Sequence, residues 1–222
     1  MSDIVTSLSR FRESVPENVT LVAVSKTKPN EDLQEAYEAG QRDFGENKIQ
    51  EMTQKWEDLP DDIRWHMIGH TQRNKVKYMA PYVHLVHGVD SPRLLKEINK
   101  QAKKNERVID CLLQIHIARE QSKFGFDEDE LKEFLKSDAF KDLQNVRIKG
   151  LMGMATFTDN KDQVREEFRG LKNFYETLKK DIIEPPHEFD TLSMGMTGDY
   201  KIAIEEGSNM IRIGSAIFGA RN

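Results

Sequence analysis

Val19-Thr20-Leu21-Val22-Ala23-Val24-Ser25-Lys26 is a nearly continuous apolar run, β-branched at Val19, Thr20, Val22 and Val24, that closes on a lysine. Such a run reads as a buried strand. Side chains alternate along a strand, so Lys26 falls on the face of Val22 and Val24. A lysine at the C-terminal tip of a core strand has two readings. It leaves the sheet and enters solvent, as residues at strand tips often do, or it is kept for chemistry. A desolvated lysine loses its charge readily, and its amine can form a Schiff base with a carbonyl.

Outward from this segment the chain alternates strand-like and helix-like stretches. An amphipathic helix is expected over 2–14, then strands at 19–25, 42–45, 64–69, 83–88, 108–117, 147–155, 188–193 and 209–213. Helical patterns lie between them, near 30–39, 46–57, 71–80, 91–104, 127–136, 161–180 and 197–206. Pro29 and Pro92 near helix starts, and Gly40 and Gly207 after helix ends, mark boundaries. Short strands alternating with crossover helices predict a single α/β domain over residues 1–222, a (β/α)8 TIM barrel with an additional N-terminal helix. An open doubly wound sheet is the alternative, but it ordinarily carries an early GxGxxG turn, which this sequence lacks.

Composition narrows the function classes. The 222 residues are 32% charged and 37% hydrophobic, as expected of a soluble globular chain, and the net charge is −5. That balance does not suit a partner of nucleic acid or anionic lipid. No apolar run approaches the ~20 residues of a membrane span, and no basic start followed by an apolar stretch suggests a secretory signal. Cys111 is the sole cysteine and falls in an apolar run, which predicts a core role and a reducing compartment, the cytoplasm.

In a parallel barrel the active site lies at the C-terminal strand ends, with a phosphate site commonly formed after strands 7 and 8. Lys26 is on that rim. In Asn209-Met-Ile-Arg-Ile-Gly-Ser215, alternation sets Arg212 and Gly214 opposite Ile211 and Ile213, so Arg212 is expected inside the barrel. Gly214 and Ser215 then offer backbone N–H groups and a hydroxyl to an anion. Strand 7, ending Leu192-Ser193-Met194-Gly195-Met196, adds a second hydroxyl and glycine at the same corner.

These residues carry a resemblance. VSKTKP (24–29), FGENKIQE (44–51), WHMIGHTQRNK (65–75), VDS (89–91), GLMGMA (150–155), LSMGMTGDYKIAI (192–204) and IRIGSAIFG (211–219) are similar, in order, to the YggS/PROSC-type pyridoxal-phosphate homeostasis proteins. The resemblance implies an alanine-racemase-like barrel in which Lys26 binds pyridoxal 5′-phosphate (PLP) as an internal aldimine. It also implies that Ser193, Gly214 and Ser215 hold the phosphate, Arg212 faces the pyridine nitrogen and Asn47 lies near the ring. Lys48, Met67, Thr71, Arg73, His116 and Thr197 depart from the family pattern, and none of these falls on Lys26, Arg212 or Gly214.

PLP is the best electron sink when its pyridine nitrogen is protonated, whereas a guanidinium stays charged and can only donate. Arg212 beside that nitrogen would weaken the sink. Racemases of this type use a second base supplied with the help of a further C-terminal domain, and the stretch after strand 8 leaves no room for one here. The expected function is therefore intracellular PLP homeostasis, buffering or carrying the cofactor for apo PLP-dependent enzymes with little or no turnover. A PLP-dependent amino-acid racemase is the alternative, and a Schiff-base aldolase without PLP a third.

Other polar residues read as structural. His66 and His70 are ~13 Å apart if they share a strand face, too far for one zinc with its ~2 Å bonds, and no metal set is expected. His84 and His87 should face opposite sides of strand 4 and make no pair. Asp110, Gln114 and His116 should line the barrel interior, while Glu120 and Lys123 could reach a ligand from the strand-5 rim. Arg73 to Lys77 reads as a solvated helix face, and Met152, Met154, Met194 and Met196 read as core.

Overall fold

A computed structural model describes residues 3–119 and 125–219. Eight parallel strands close into a barrel in sequence order: β1 (Thr20–Val24), β2 (Asp43–Glu46), β3 (Arg64–Met67), β4 (Leu85–Val89), β5 (Ile109–Gln114), β6 (Val146–Met152), β7 (Thr191–Ser193) and β8 (Met210–Ile213). β8 closes on β1 in parallel, with Val22 in register with Arg212. Around them lie α1 (Asp3–Ser14), α2 (Asn30–Glu38), α3 (Ile49–Asp58), α4 (Val76–Met79), α5 (Pro92–Lys104), α6 (Glu128–Lys136), α7 (Asp138–Lys141), α8 (Lys161–Asp181), α9 (Tyr200–Glu205) and α10 (Ser215–Phe218).

The period-2 alternation divides the apolar residues into two radial layers. Val22, Leu85, Leu112, Met152 and Met210 form a small cluster inside the barrel. Their strand neighbours Ala23, Val86, Cys111, Leu151 and Ile211 belong to the larger core packed under the helices. Cys111 is fully buried there, and burial pushes its thiol pKa up. Helix starts follow their local chemistry: Pro92 opens α5 behind Ser91, whose hydroxyl accepts the Leu94 N–H, and Asn160 caps α8 by accepting from Gln163. α1 buries Leu8 and Phe11, with the Phe11 ring edge-on to Tyr200 at 5.5 Å.

Several element ends differ from the sequence expectation. β5 stops at Gln114 and β6 at Met152, while β7 has only three residues. α3 begins at Ile49 rather than 46, because Glu46 is still in β2 and Lys48 is extended. The helix expected over 71–80 is a 3-10 turn (Arg73–Lys75) followed by the single turn α4. α7 and α10, one turn each, are too short to show a periodicity.

Candidate functional site

The C-terminal strand ends open on a cavity of about 650 Å³, within the range of small-molecule sites. Lys26, Asn47, Arg212, Gly214 and Ser215 all line it. Ser193 does not. It is fully buried beneath the cavity, and its hydroxyl accepts from Arg212 Nη1 at 2.6 Å. The sequence places this hydroxyl at the phosphate corner, whereas in the structure it lies deeper along the barrel. Thr197 and Gly198, just beyond β7, line the cavity instead.

Lys26 is half-buried in the turn after β1. Its two neighbours are clamped by a buried network. Ser25 Oγ donates to Glu46 Oε1 at 2.6 Å, and Lys55 Nζ donates to the Ser25 carbonyl, to Glu46 Oε1 and to Glu51 Oε1, each at 2.8 Å. The N–H of Thr27, which is left-handed at φ 64°, donates to Glu51. Burial raises the Glu46 pKa, opposed by the Lys55 ammonium beside it. This clamp was not read from the sequence. Its one signal is an acid, Glu46, on the same outward strand face as Phe44.

Arg212 forms part of the cavity floor and is held from below. Nη1 also donates to the Ser193 carbonyl at 2.9 Å, and Nη2 to the Gly153 carbonyl at 3.2 Å. Burial pulls its pKa down to about 10, with Asp199 acting in the opposite sense, so it is a cation at neutral pH. Asp199 is itself shifted upward by burial and accepts the Met196 N–H at 2.6 Å. At the strand-8 corner, a Cβ on Gly214 would lie 3.3 Å from both the Cβ and the carbonyl oxygen of Val24, so glycine lets β8 end against β1. A Cβ on Gly198 would meet nothing within 4 Å. There, absence of a side chain leaves open space at the cavity edge.

Of the remaining polar candidates, Gln114 lines the cavity. Asp110 is engaged by Arg147 at 2.7 Å. His116 lies past the end of β5 and borders a separate surface hollow with Arg119 and Glu128, so the interior alternation does not reach it. Glu120 and Lys123 lie outside the described residues. Met152 and Met194 are core, but Met154 and Met196 are 41% and 36% exposed and line the cavity, because they follow the ends of β6 and β7. Phe157 is exposed at the same mouth. Arg73 and Lys77 are solvated, with Val76 buried between them.

His66 and His70 part company: His66 is buried within the barrel, whereas His70 forms cavity wall, its Nδ1 3.1 Å from Asp90. His84 and His87 both approach His66, at ring-centroid distances of 5.3 and 5.2 Å. Nitrogen and oxygen atoms of Asp43, His66 and His84 lie within 4.8 Å of one another. The Asp43 carboxylate already accepts from Arg64 through both oxygens and from His66 Nε2 at 3.0 Å. Burial works to raise the Asp43 pKa, but these hydrogen bonds outweigh it and hold it well below the usual carboxylate range.

Comparison with known proteins agrees with the barrel fold. The family model "Alanine racemase, N-terminal domain" matches residues 2–222. A pyridoxal phosphate homeostasis protein of Aquifex aeolicus is 40% identical over 203 residues, 90% of this chain and 86% of that protein. The protein of the same name from Escherichia coli is 36% identical, over 100% of this chain and 98% of its own. Among solved structures, PipY of Synechococcus elongatus with PLP bound superposes with a TM-score of 0.88 at 34% identity, covering 97% of this chain and 100% of that one. An alanine racemase of Clostridium difficile, 12% identical with a TM-score of 0.80, covers 99% of this chain and 60% of that one, and shares the fold. The chain therefore belongs to the alanine racemase N-terminal domain family and, within it, to the pyridoxal phosphate homeostasis proteins.

Proposed function

We propose that this protein binds PLP in the barrel-mouth cavity, as a single barrel domain working in the cytoplasm, and holds it for apo PLP-dependent enzymes with little or no turnover of its own. The observation that carries the reading is the convergence of Lys26 and Arg212 on one cavity whose edge carries the open space beside Gly198. The donor set fits the cofactor. A half-buried amine suits its aldehyde, a fixed cationic donor suits its ring nitrogen, and Thr197, Gly198, Gly214 and Ser215 offer a hydroxyl- and glycine-rich corner for its phosphate. Asn47 stands close to the same site at the end of β2. Ser193 supports the site through Arg212 rather than as a phosphate ligand.

When bound, PLP supplies an electrophilic aldehyde and an electron sink. Arg212 keeps its proton at neutral pH, so it favours an unprotonated partner nitrogen and moderates that sink. The clamp on Ser25 and Thr27 keeps the Lys26 turn at the cavity wall. One observation favours the racemase-like alternative: His70, oriented by Asp90, is a possible second base on that wall.

Loading with PLP followed by borohydride reduction should fix a phosphopyridoxyl group on the Lys26 peptide. A label on another lysine, or none, overturns the site, and a colourless protein whose Lys26 reacts with a substrate carbonyl instead would promote the aldolase reading. Purified holo-protein should also be followed for racemisation, transamination and decarboxylation of an amino-acid panel. Turnover near the ~10 s⁻¹ typical of enzymes would establish the racemase-like alternative in place of the carrier.

A further inference from the structure

Beneath the cavity a file of polar side chains crosses the barrel interior. Arg212 Nη1 lies 2.6 Å from Ser193 Oγ, Ser193 Oγ 3.1 Å from His87 Nδ1, His87 Nε2 2.9 Å from His66 Nδ1, and His66 Nε2 3.0 Å from Asp43 Oδ1. From His66 to Arg212 no member is more than 4% exposed. A buried file of this kind is stable only if each donor meets an acceptor.

Its two ends fix its direction. Arg212 can only donate, and the ionised Asp43 can only accept. Ser193 Oγ accepts from Arg212, so its own proton goes to His87 Nδ1. His87 then carries its proton on Nε2 and gives it to His66 Nδ1, and His66 carries its proton on Nε2 and gives it to Asp43. Both imidazoles are neutral in this arrangement. Burial above all, with the Arg212 cation acting in the same sense, keeps the His87 pKa well below its ordinary value, as a neutral His87 requires. The reverse run would need protons on both nitrogens of His66, a second buried cation below Arg212. It would also leave the Ser193 hydroxyl proton without an acceptor in the file.

We propose that Ser193, His87 and His66 are positioning residues, anchored on Asp43, that lock Arg212 into the cavity floor as a donor. Every hydrogen bond below the guanidinium runs away from the cavity, so Ser193, His87 and His66 supply no proton to a ligand nitrogen above it. The file is a feature of the protein alone, and only the last clause rests on the proposed PLP site.

The test begins on the apo-protein. With ¹⁵N-labelled histidine, long-range ¹H–¹⁵N correlation at neutral pH should show His66 and His87 as neutral Nε2–H tautomers. In Ser193→Ala the His87 Nδ1 resonance should move to that of a nitrogen without a donor, while the His66 tautomer persists. An imidazolium at His66, an Nδ1–H tautomer at His87, or an unmoved His87 resonance in Ser193→Ala would overturn the proposal, and the first two need no variant to fold. In a second arm, the apparent PLP dissociation constant should rise about tenfold in Ser193→Ala, the scale of one lost charge-assisted hydrogen bond. Unchanged affinity in that variant overturns the link to Arg212. If wild type shows the predicted tautomers but binds no PLP, the cofactor site fails and the file stands.

Discussion

Gly214 and Gly198 sit on one cavity edge and answer to different neighbours. At Gly214 the nearest atoms to an added Cβ belong to Val24, so a larger residue presses first on the β1–β8 seam. Gly214→Val should cost about 1–3 kcal/mol through overpacking, and any loss of PLP binding would be entangled with that damage. Gly198→Val meets open space and should leave the denaturation midpoint nearly unchanged, yet weaken PLP binding tenfold or more by filling the corner. Paired urea melts and PLP titrations of the two variants separate the cases. Undiminished affinity in Gly198→Val would remove the phosphate from this corner. The sequence already carried the facing of Lys26, Arg212 and Gly214, because alternation along a strand needs no tertiary knowledge. It could not rank two glycines of the same corner, since that depends on how closely β8 approaches β1.

α3 shows what boundary errors conceal at the scale of an element. A helix begun at residue 46 would put Glu46 in its first turn as an ordinary solvated acid. In the structure Glu46 is the last residue of β2 and points outward to α3, where Glu51 and Lys55 stand one turn apart and reach back to it and to the Lys26 turn. Lys55→Ala should therefore destabilise the protein by about 3–5 kcal/mol, the range for a buried carboxylate stripped of its partner. The double variant Glu46→Leu/Lys55→Met should recover most of that stability, because apolar replacement of a whole buried pair is often neutral. It should still capture PLP at Lys26 more slowly, since Ser25 would lose both its anchors and Glu51, which holds Thr27, would lose its Lys55 partner. Urea denaturation and the rate of spectral change on adding PLP provide the two measurements. Capture at the wild-type rate in the double variant would reduce the clamp to a stabilising role.

For the whole molecule, eight strand periods and the crossover helices between them made the barrel legible, and the same periods sorted residues into interior and exterior. Depth along the barrel axis was not legible. Ser193 and Gly198 are five residues apart, yet one lies under the floor and the other at the mouth. Nor was the polar file, whose members come from β2, β3, β4, β7 and β8 and meet only once the barrel closes. That file predicts how the molecule responds to acid. His87 is held neutral in the fold, with its pKa well below 6.5, whereas in the unfolded chain it titrates near 6.5. Between those values the unfolded state binds a proton that the folded state refuses, so stability falls as pH drops below about 6.5. The slope is up to ~1.4 kcal/mol per pH unit for each such histidine, and His84 and His187 shift in the same direction and add to it. Asp43 acts in a separate window. Its folded pKa is depressed, so its contribution is complete above the ordinary carboxylate value and is lost only as pH falls below about 4. Acid unfolding should accordingly begin near pH 6.5, before the carboxylates titrate. Urea denaturation at pH 7.5, 6.5, 5.5 and 4.5 should show the decline in wild type and a shallower one in His87→Gln, which has no titrating ring. A wild-type stability flat between pH 7.5 and 4.5, or an identical slope in His87→Gln, would mean that the imidazole is charged or solvated in the folded protein, contrary to the buried neutral ring described above.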